Sequence, residues 1–334
     1  MSKPTMLAAV CERYGPPERV ELRAVERPEP TEDRILVRLR AASVNRADLD
    51  GLKPRPSFAR LFTGFRAPKD PRMGLDAAGI VEAVGPAVSR FRPGDAVFGD
   101  LFPYAGAGSF AEFACAREKA FLPIPAGMSF EVAATLPHSA VLAVQGLRLR
   151  DGRTPQAGDR VLIDGASGNV GPFAVQIAKA MGAEVTGVCS GDKGDFVRSL
   201  GADHVVDYRA IDYTASGERY DWILDTDSHH SILRVRRALR RHGAYVTLGG
   251  TSVPIVAGMT IGPLVSMASD RWSGLCLWWK PFHAPDVATI TGLIADGKLR
   301  PAIDRRYPLS DIVAALRWVE DGRARGKVII EFPD

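Results

Sequence analysis

Apolar and polar residues alternate in short runs over the first part of the chain. Residues 34–40, 79–84, 94–100 and 109–114 have a period near two, with connections rich in Gly and Pro, and read as β-strands. From about 137 the texture changes to strand alternating with helix. Strands are expected at 160–164, 184–188, 204–207, 222–225 and 244–248. Val170, Phe173, Ala174, Ile177 and Ala178 fall at helical spacing, which predicts a helix over 170–181. Further helices are expected around 196–200 and from about 231 to 241. Such an alternation forms a parallel sheet with helices on both faces, a doubly wound α/β domain. Beyond about 280 the pattern predicts helices at 287–296 and 310–321, the second N-capped by Ser310, and a strand at 327–332. A lone terminal strand needs a sheet, and the N-terminal β region is the simplest partner. The expected division is 1–136 with 280–334 as one domain and 137–279 as the other.

Length and composition agree with two domains. The chain has 334 residues, 46% apolar and 25% charged, the mix of an ordinary soluble globular protein. A net charge of +4 is too small an excess to imply a nucleic-acid partner. The stretch 53–71 mixes basic residues with Phe58, Phe62 and Phe65, and it reads as a mobile loop over a cleft, with a nucleic-acid patch as the alternative. Cys11, Cys115, Cys189 and Cys276 form no CxxC pair, which argues against a structural zinc lobe and a disulfide framework. No run of eighteen apolar residues occurs, so no membrane span is expected. The first thirteen residues hold Glu12 and no h-region, and with free thiols this predicts a cytoplasmic protein.

The strongest local signal is Gly165, Ala166, Ser167, Gly168, Asn169, Val170 and Gly171, which follow a strand and open a helix. Glycines at this spacing allow the sharp turn, the approach of backbone to a diphosphate, and close packing of helix on strand. The helix start adds N–H groups and partial positive charge, and Pro172 is tolerated in its first turn. The end of the second strand discriminates between cofactors. An NAD site usually carries Asp or Glu there for the ribose 2′-hydroxyl. Here the strand ends in Cys189 and Ser190, and Lys193 follows, a pair suited to a 2′-phosphate and therefore to NADPH. Asp192 works against this, and the alternative for Lys193 is an ordinary solvated lysine.

Taken in order, these segments resemble the medium-chain dehydrogenase/reductase superfamily, and within it the zinc-free quinone oxidoreductase-like branch. Residues 41–48 resemble its Asn-containing active-site segment, and 74–79, 94–97 and 108–113 resemble its N-terminal signatures. Residues 165–171, 174–180, 182–185 and 201–208 match its cofactor domain, and 297–301 and 326–330 continue the match. The resemblance implies a GroES-like β-rich domain plus a Rossmann domain, an active site in the cleft between them, and a homodimer through the Rossmann sheet edge. It places Asn45 near the nicotinamide ribose or the substrate, and Lys193 and Tyr208 on the 2′-phosphate. Leu248, Gly249 and Gly250 would run past the nicotinamide, with Lys327 close. Zinc members carry a catalytic Cys where Asn45 stands and Gly-His-Glu where Gly74, Leu75 and Asp76 stand. A leucine cannot ligate, so no metal is expected.

Without a Lewis acid, the suitable substrate is an already activated small molecule, a quinone or an α,β-unsaturated carbonyl, that takes hydride from NADPH. An enoyl-thioester or pathway-specific ene-reductase is the alternative, motivated by Arg55, Arg60, Arg66, Lys69 and Arg72. A non-catalytic NADPH-binding sensor or interaction protein is the other class. The branch often has a tyrosine a few residues after its Asn segment, where this chain has Leu49, Asp50, Gly51 and Leu52. Tyr104 is a candidate replacement as acid, an ordinary loop tyrosine its alternative. Asp48 either orients Asn45 or stabilises a turn, and His138 either faces the cleft or is structural. His229 and His230 are adjacent in sequence, a poor chelating pair.

Overall fold

A computed structural model of the chain describes residues 4–54, 60–102 and 108–333. Two units form: 1–138 with 281–287 and 303–334, and 139–280 with 288–302. The first is built on β1 (Thr5–Val10), β2 (Glu21–Glu26), β3 (Arg34–Val44), β4 (Asp76–Val84), β5 (Ala96–Asp100), β6 (Phe113–Arg117) and β7 (Phe121–Pro123). The second holds β8 (Arg160–Asp164), β9 (Glu184–Cys189), β10 (His204–Asp207), β11 (Tyr220–Asp225), β12 (Leu239–Thr247) and β13 (Trp272–Leu275). β14 (Ile303–Pro308) and β15 (Lys327–Glu331) return to the first unit.

In the first unit the main sheet runs β14-β15-β3-β4-β5-β7, with β6 also on β3, and β1 pairs β2 separately. The terminal strand β15 lies antiparallel to β3, Val328 opposite Val44, so the chain's end finds the N-terminal sheet as expected. Ile35, Val37, Leu39, Val81, Val97 and Phe121 form one apolar core there. In the second unit six parallel strands run β10-β9-β8-β11-β12-β13. Strand order reverses between β8 and β11, and a doubly wound sheet binds its ligand beyond the carboxyl ends of its strands at such a point. The helix Gly171–Ala180 turns Phe173, Ala174, Ile177 and Ala178 into the interior, all of them buried.

Several sequence-based expectations shift. The helix expected at 231–241 is only Ile232–Val235 with a 3-10 turn to Ala238, capped by Ser231. Leu239 is already strand, paired with Tyr220 and fully buried, and a bend at His242 (φ 61°) carries β12 on. The strand expected at 109–114 begins later, at Phe113, because Ala111 bridges Ala8 instead. Ser310 does not cap a helix: it sits in a 3-10 turn, and the helix is Ile312–Glu320. Residues 288–302 join the second unit rather than the first. There the Gln176 amide receives the Arg300 N–H at 2.8 Å and donates to its carbonyl at 3.1 Å. Among the described residues no helix is long and apolar enough to cross a membrane.

Gly79 shows how tightly β3 and β4 are joined. It lies opposite Leu39 at a register shift, and a Cβ there would stand 2.1 Å from the Arg38 carbonyl oxygen. Gly79→Ala should therefore destabilise the first unit by about 1–3 kcal/mol, as overpacking does. Thermal unfolding should show the melting temperature falling by about 2–4 °C per kcal/mol. An unchanged melting temperature would mean that the strands separate there at no cost.

Candidate active site

The glycine turn lies where the second unit's strand order reverses. Gly165 leaves β8 with φ 77°, a conformation that glycine adopts without Cβ strain. A Cβ on Gly171 would stand 2.2 Å from the Gly165 carbonyl oxygen and 2.5 Å from Ala166, so the helix start touches the turn backbone to backbone. On Gly168 a Cβ would meet only the Gly165 oxygen, at 3.4 Å. The turn is thus closed on its inner side and open on its outer side, a cradle that fits a dinucleotide diphosphate. Leu248 donates its N–H to the Asp225 carbonyl at 2.9 Å, and Gly250 (φ 128°) bridges Ser228, which seats Leu248, Gly249 and Gly250 beside the turn after β11.

Two carboxylates lie in register under this turn. Asp164 ends β8 and Asp225 ends β11, directly opposite each other, Asp225 fully buried and Asp164 half-buried. Tyr245 donates its hydroxyl to Asp225 at 2.9 Å, and Ser228 lies 3.1 Å from that hydroxyl. Burial and the Asp225 charge push Asp164 well above the usual carboxylate range, and burial also raises Asp225. This pair was not picked out from the sequence, although an acid immediately before a glycine turn was a visible signal. His229 and His230 diverge, as their adjacency predicts: His229 lies 3.4 Å from Asp227, while His230 meets the Tyr213 ring edge-on at 5.3 Å.

At the end of β9, Cys189, Ser190 and Lys193 are all buried, and burial pushes the Cys189 thiol up. Tyr208 is exposed, with the Arg209 guanidinium 5.8 Å from its ring centre. Arg209 also reaches Asp192 at 3.5 Å and is a basic residue that the sequence reading passed over. Asp192 is held below its usual range, first by a hydrogen bond from Ser190. Asp207 pairs with Cys189 across the strands and packs against Gly191. The end of β9 therefore combines Ser190, Lys193 and Arg209 with two carboxylates, Asp192 and Asp207.

The first unit gathers a second cluster. Asn45 follows β3 and caps the helix Arg46–Leu52, where its N–H donates to Asp48 Oδ2 at 2.7 Å. Lys327 opens β15 one step beyond the Val328–Val44 pair and is 0% exposed. Its ammonium donates to Asn45 Oδ1 at 2.5 Å and to Asp76 Oδ2 at 3.1 Å. Asp76 Oδ2 also accepts from Asn45 Nδ2 at 2.8 Å and from the Ser43 hydroxyl at 2.6 Å. Its other oxygen accepts the His138 N–H at 2.9 Å. Asp100 ends β5 opposite Asp76, and its Oδ2 lies 3.0 Å from His138 Nδ1. Burial alone favours a neutral His138 ring, but the Asp100 charge and hydrogen bond, with Asp76 behind them, raise it above its ordinary value. Asp48 is pushed up to about 7 by burial and by Asp76, against the lowering effect of the Asn45 N–H.

Of the residues singled out by sequence, Asn45, Asp48 and Lys327 thus share one buried network in the first unit. The turn from Gly165 to Gly171, with Cys189, Ser190, Lys193, Tyr208 and Leu248 to Gly250, lines the carboxyl edge of the second unit's sheet. Tyr104, Arg55 and Phe58 lie outside the described residues. Asp76, whose chemistry reads in the sequence as a structural carboxylate, holds Ser43, Asn45, His138 and Lys327, whereas Asp100 and its contact with His138 were missed, because those partners are remote in sequence. Among the described residues no cluster of three or more His, Cys, Asp and Glu side chains could hold a metal ion.

Comparison with known proteins places this arrangement. Residues 31–126 match the alcohol dehydrogenase GroES-like domain, and residues 200–330 match the zinc-binding dehydrogenase family. The mitochondrial NAD(P)H oxidoreductase RTN4IP1 of Mus musculus is 32% identical over 328 residues, covering 89% of this chain and 81% of that one. The trans-enoyl reductase pgmF of Aspergillus terreus is 32% identical over 327 residues, covering 90% and 87%. The quinone oxidoreductase structure from Coxiella burnetii superposes with a TM-score of 0.84 at 26% identity, covering 99% of this chain and 100% of that one. The chain belongs to the medium-chain dehydrogenase/reductase superfamily and is a quinone oxidoreductase-like member of it. Its units are the GroES-like β-rich domain and the Rossmann domain of that superfamily, and it is an oxidoreductase using a nicotinamide cofactor.

The raised Asp48 makes stability depend on pH. In the folded protein it keeps a proton up to about pH 7, whereas an unfolded aspartate loses it near 4. Its contribution is thus fully present below about pH 4 and is lost as pH rises through about 7. Asp48→Asn keeps an oxygen for the Asn45 N–H and never ionises. Its melting temperature relative to the parent chain should rise between pH 5 and pH 8. A difference that does not change with pH would show that Asp48 is ionised throughout.

Proposed function

We propose that the chain is an NADPH-dependent, zinc-independent reductase that delivers hydride to a quinone or an α,β-unsaturated carbonyl. The observation that carries this reading is the Lys327 ammonium, buried on Asn45 and Asp76. It sets a fixed positive charge where zinc members of the superfamily would gather metal ligands, and Leu75 beside Asp76 offers no donor. A metal dication beside that ammonium would be repelled. The acceptor must then be one whose own conjugation carries the charge left by hydride, as a quinone or an enone does. The cofactor, when bound, supplies the hydride; the chain's residues bind it, exclude water and supply hydrogen-bond donors. NADPH rather than NADH is favoured by Ser190, Lys193 and Arg209 and by the missing acid at the end of β9. The enoyl-thioester alternative is favoured by the likeness to a trans-enoyl reductase.

We further propose a homodimer in the cytosol. The helix Ser252–Met267 packs on the edge strand β13 through Gly258 and Gly262 while leaving Val253, Leu264 and Met267 exposed. A second copy would cover that apolar face and the open edge. Four free, buried thiols suit a reducing compartment.

The cofactor assignment is tested by following reduced-cofactor consumption with 1,4-benzoquinone and 2-cyclohexen-1-one. NADPH should be preferred, and Lys193→Ala should raise KM for NADPH while leaving that for NADH nearly unchanged. Equal or better use of NADH by the parent chain overturns the assignment. For the dimer, sedimentation velocity should show two copies, and one for the double variant Leu264→Glu, Met267→Lys. A monomeric parent chain overturns it.

A further inference from the structure

The second unit carries a short run of arginines, Arg234, Arg236, Arg237, Arg240 and Arg241. All but one are answered by the fold. Arg236 donates to the Ser273 hydroxyl at 2.9 Å and to the Arg271 carbonyl at 3.2 Å. Arg240 meets Asp221 at 2.9 Å, Arg241 meets Asp270 at 3.0 Å, and Arg234 meets Asp212. Among the described residues the Arg237 guanidinium has no such partner. It lines a cavity of about 220 Å³ together with Thr214, Ala215, Gly217, Arg219 and Arg234.

Three guanidinium groups thus face one small space, and like charges so gathered repel. Arg219 donates from Nη1 to the Gly217 and Glu218 carbonyls at 3.3 and 3.2 Å, which holds it over its own loop. The neighbouring carboxylates do not cancel this charge. Asp212 is shared between Arg234 and Thr214, whose N–H and hydroxyl donate to it at 2.9 and 2.6 Å. Glu218 is engaged by Arg160 at 2.8 Å. His230, 4.0 Å from Asp212, is held below its ordinary value, first by burial, and adds no charge at neutral pH. Gly217 turns the loop with φ 88°, and a Cβ on it would meet nothing within 4 Å, so that wall stands open.

We propose that this cavity binds a phosphate group, as free phosphate or as the end of a small phosphate ester, at a site separate from the cofactor's. A guanidinium presents a planar fork of N–H donors that matches phosphate oxygens, and each such bond is charge-assisted. A dianion also relieves the repulsion that the arginines impose on one another. The volume is below the roughly 300–1,000 Å³ of pockets that enclose whole drug-sized ligands, so the site takes a phosphoryl group and its nearest atoms rather than a nucleotide. Its place keeps it apart from the dinucleotide cradle. Arg219 stands just before β11 and Arg237 just before Leu239 opens β12 across one residue, so the cavity lies toward the amino ends of those strands. The glycine turn, Ser190, Lys193 and Arg209 instead follow the carboxyl ends of β8, β9 and β10. In a parallel sheet these are opposite ends, set apart by the length of β11, about 16 Å. The proposal does not depend on the reductase reading.

The site is tested by labelling the full chain with phenylglyoxal, which modifies accessible guanidinium groups, and reading each arginine by peptide mass spectrometry at low salt. Inorganic phosphate should protect Arg219 and Arg237 while leaving the well-exposed Arg92 reactive. In Arg237→Ala, protecting Arg219 should need about tenfold more phosphate or more. The melting temperature of that variant should stay that of the parent chain, since Arg237 holds no partner in the fold. Lys193→Ala should leave the protection intact. Glycerol 3-phosphate separates the two sources: protection at lower concentration than inorganic phosphate assigns an ester, and the reverse assigns the free ion. Failure of both to protect Arg237 overturns the proposal, as does unchanged protection of Arg219 in Arg237→Ala. Loss of protection in Lys193→Ala would put the phosphate at the cofactor site and overturn it too. Protection by heparin with none by phosphate would make this face a polyanion surface and sink the phosphate site.

Discussion

An ammonium group removed from water is stable only when its charge is answered nearby, since the effective cost of burying an ion alone is several kcal/mol. Lys327 is wholly buried, and Asp76 answers it across 3.1 Å. Much of the first unit's geometry follows from that pair. The ammonium fixes Asn45 through its amide oxygen, and Asp76 fixes the same amide through its nitrogen, so the side chain has one orientation. The second Asp76 oxygen ties the backbone of His138, and the strand pairing of Asp76 with Asp100 brings the carboxylate that orients the His138 ring. Four strands, β3, β4, β5 and β15, meet around this one charge pair. Remove the carboxylate and an unpaired cation is left in the core, which is why the rest of the network depends on it.

The second unit solves a different problem with less charge. Its turn from Gly165 to Gly171 works by the absence of side chains, with the helix and strand in contact through backbone alone. The carboxylates beneath it, Asp164 and Asp225, have no Lys or Arg ion-pair partner within reach among the described residues. Tyr245 and Ser228 supply hydroxyls to Asp225 in place of a cation. The first unit thus balances its buried carboxylates with cations, whereas the second sets hydroxyls on Asp225.

Much of the fold was legible because it rests on local rules. The glycine turn, the alternation after residue 137 and the strand at 204–207 all depend on neighbours within one or two turns of chain. Two of the errors share a cause. Leu239 looks helical in sequence but is captured by Tyr220 on β11, and residues 109–111 look like strand but are captured by β1. Ser310 has the chemistry of a cap and lies one residue too early for it. In the first two cases a tertiary contact outweighs a local preference.

The strand-helix alternation of the second unit, the glycine turn and the departure of Asn45 and Leu75 from a metal-ligand pattern were already plain in the residues. These are matters of residue type and short spacing, which the chain carries wherever it folds. Folding alone settles what Asn45 is bonded to, that Lys327 is buried rather than solvated, and that His138 carries a carboxylate partner. Distance along the chain separates the two kinds of feature: Lys327 and Asn45 are 282 residues apart and His138 and Asp100 are 38 apart. The charge state of a side chain depends on which groups surround it in space. That neighbourhood exists only once β15 has returned to β3 and β5 has paired with β4.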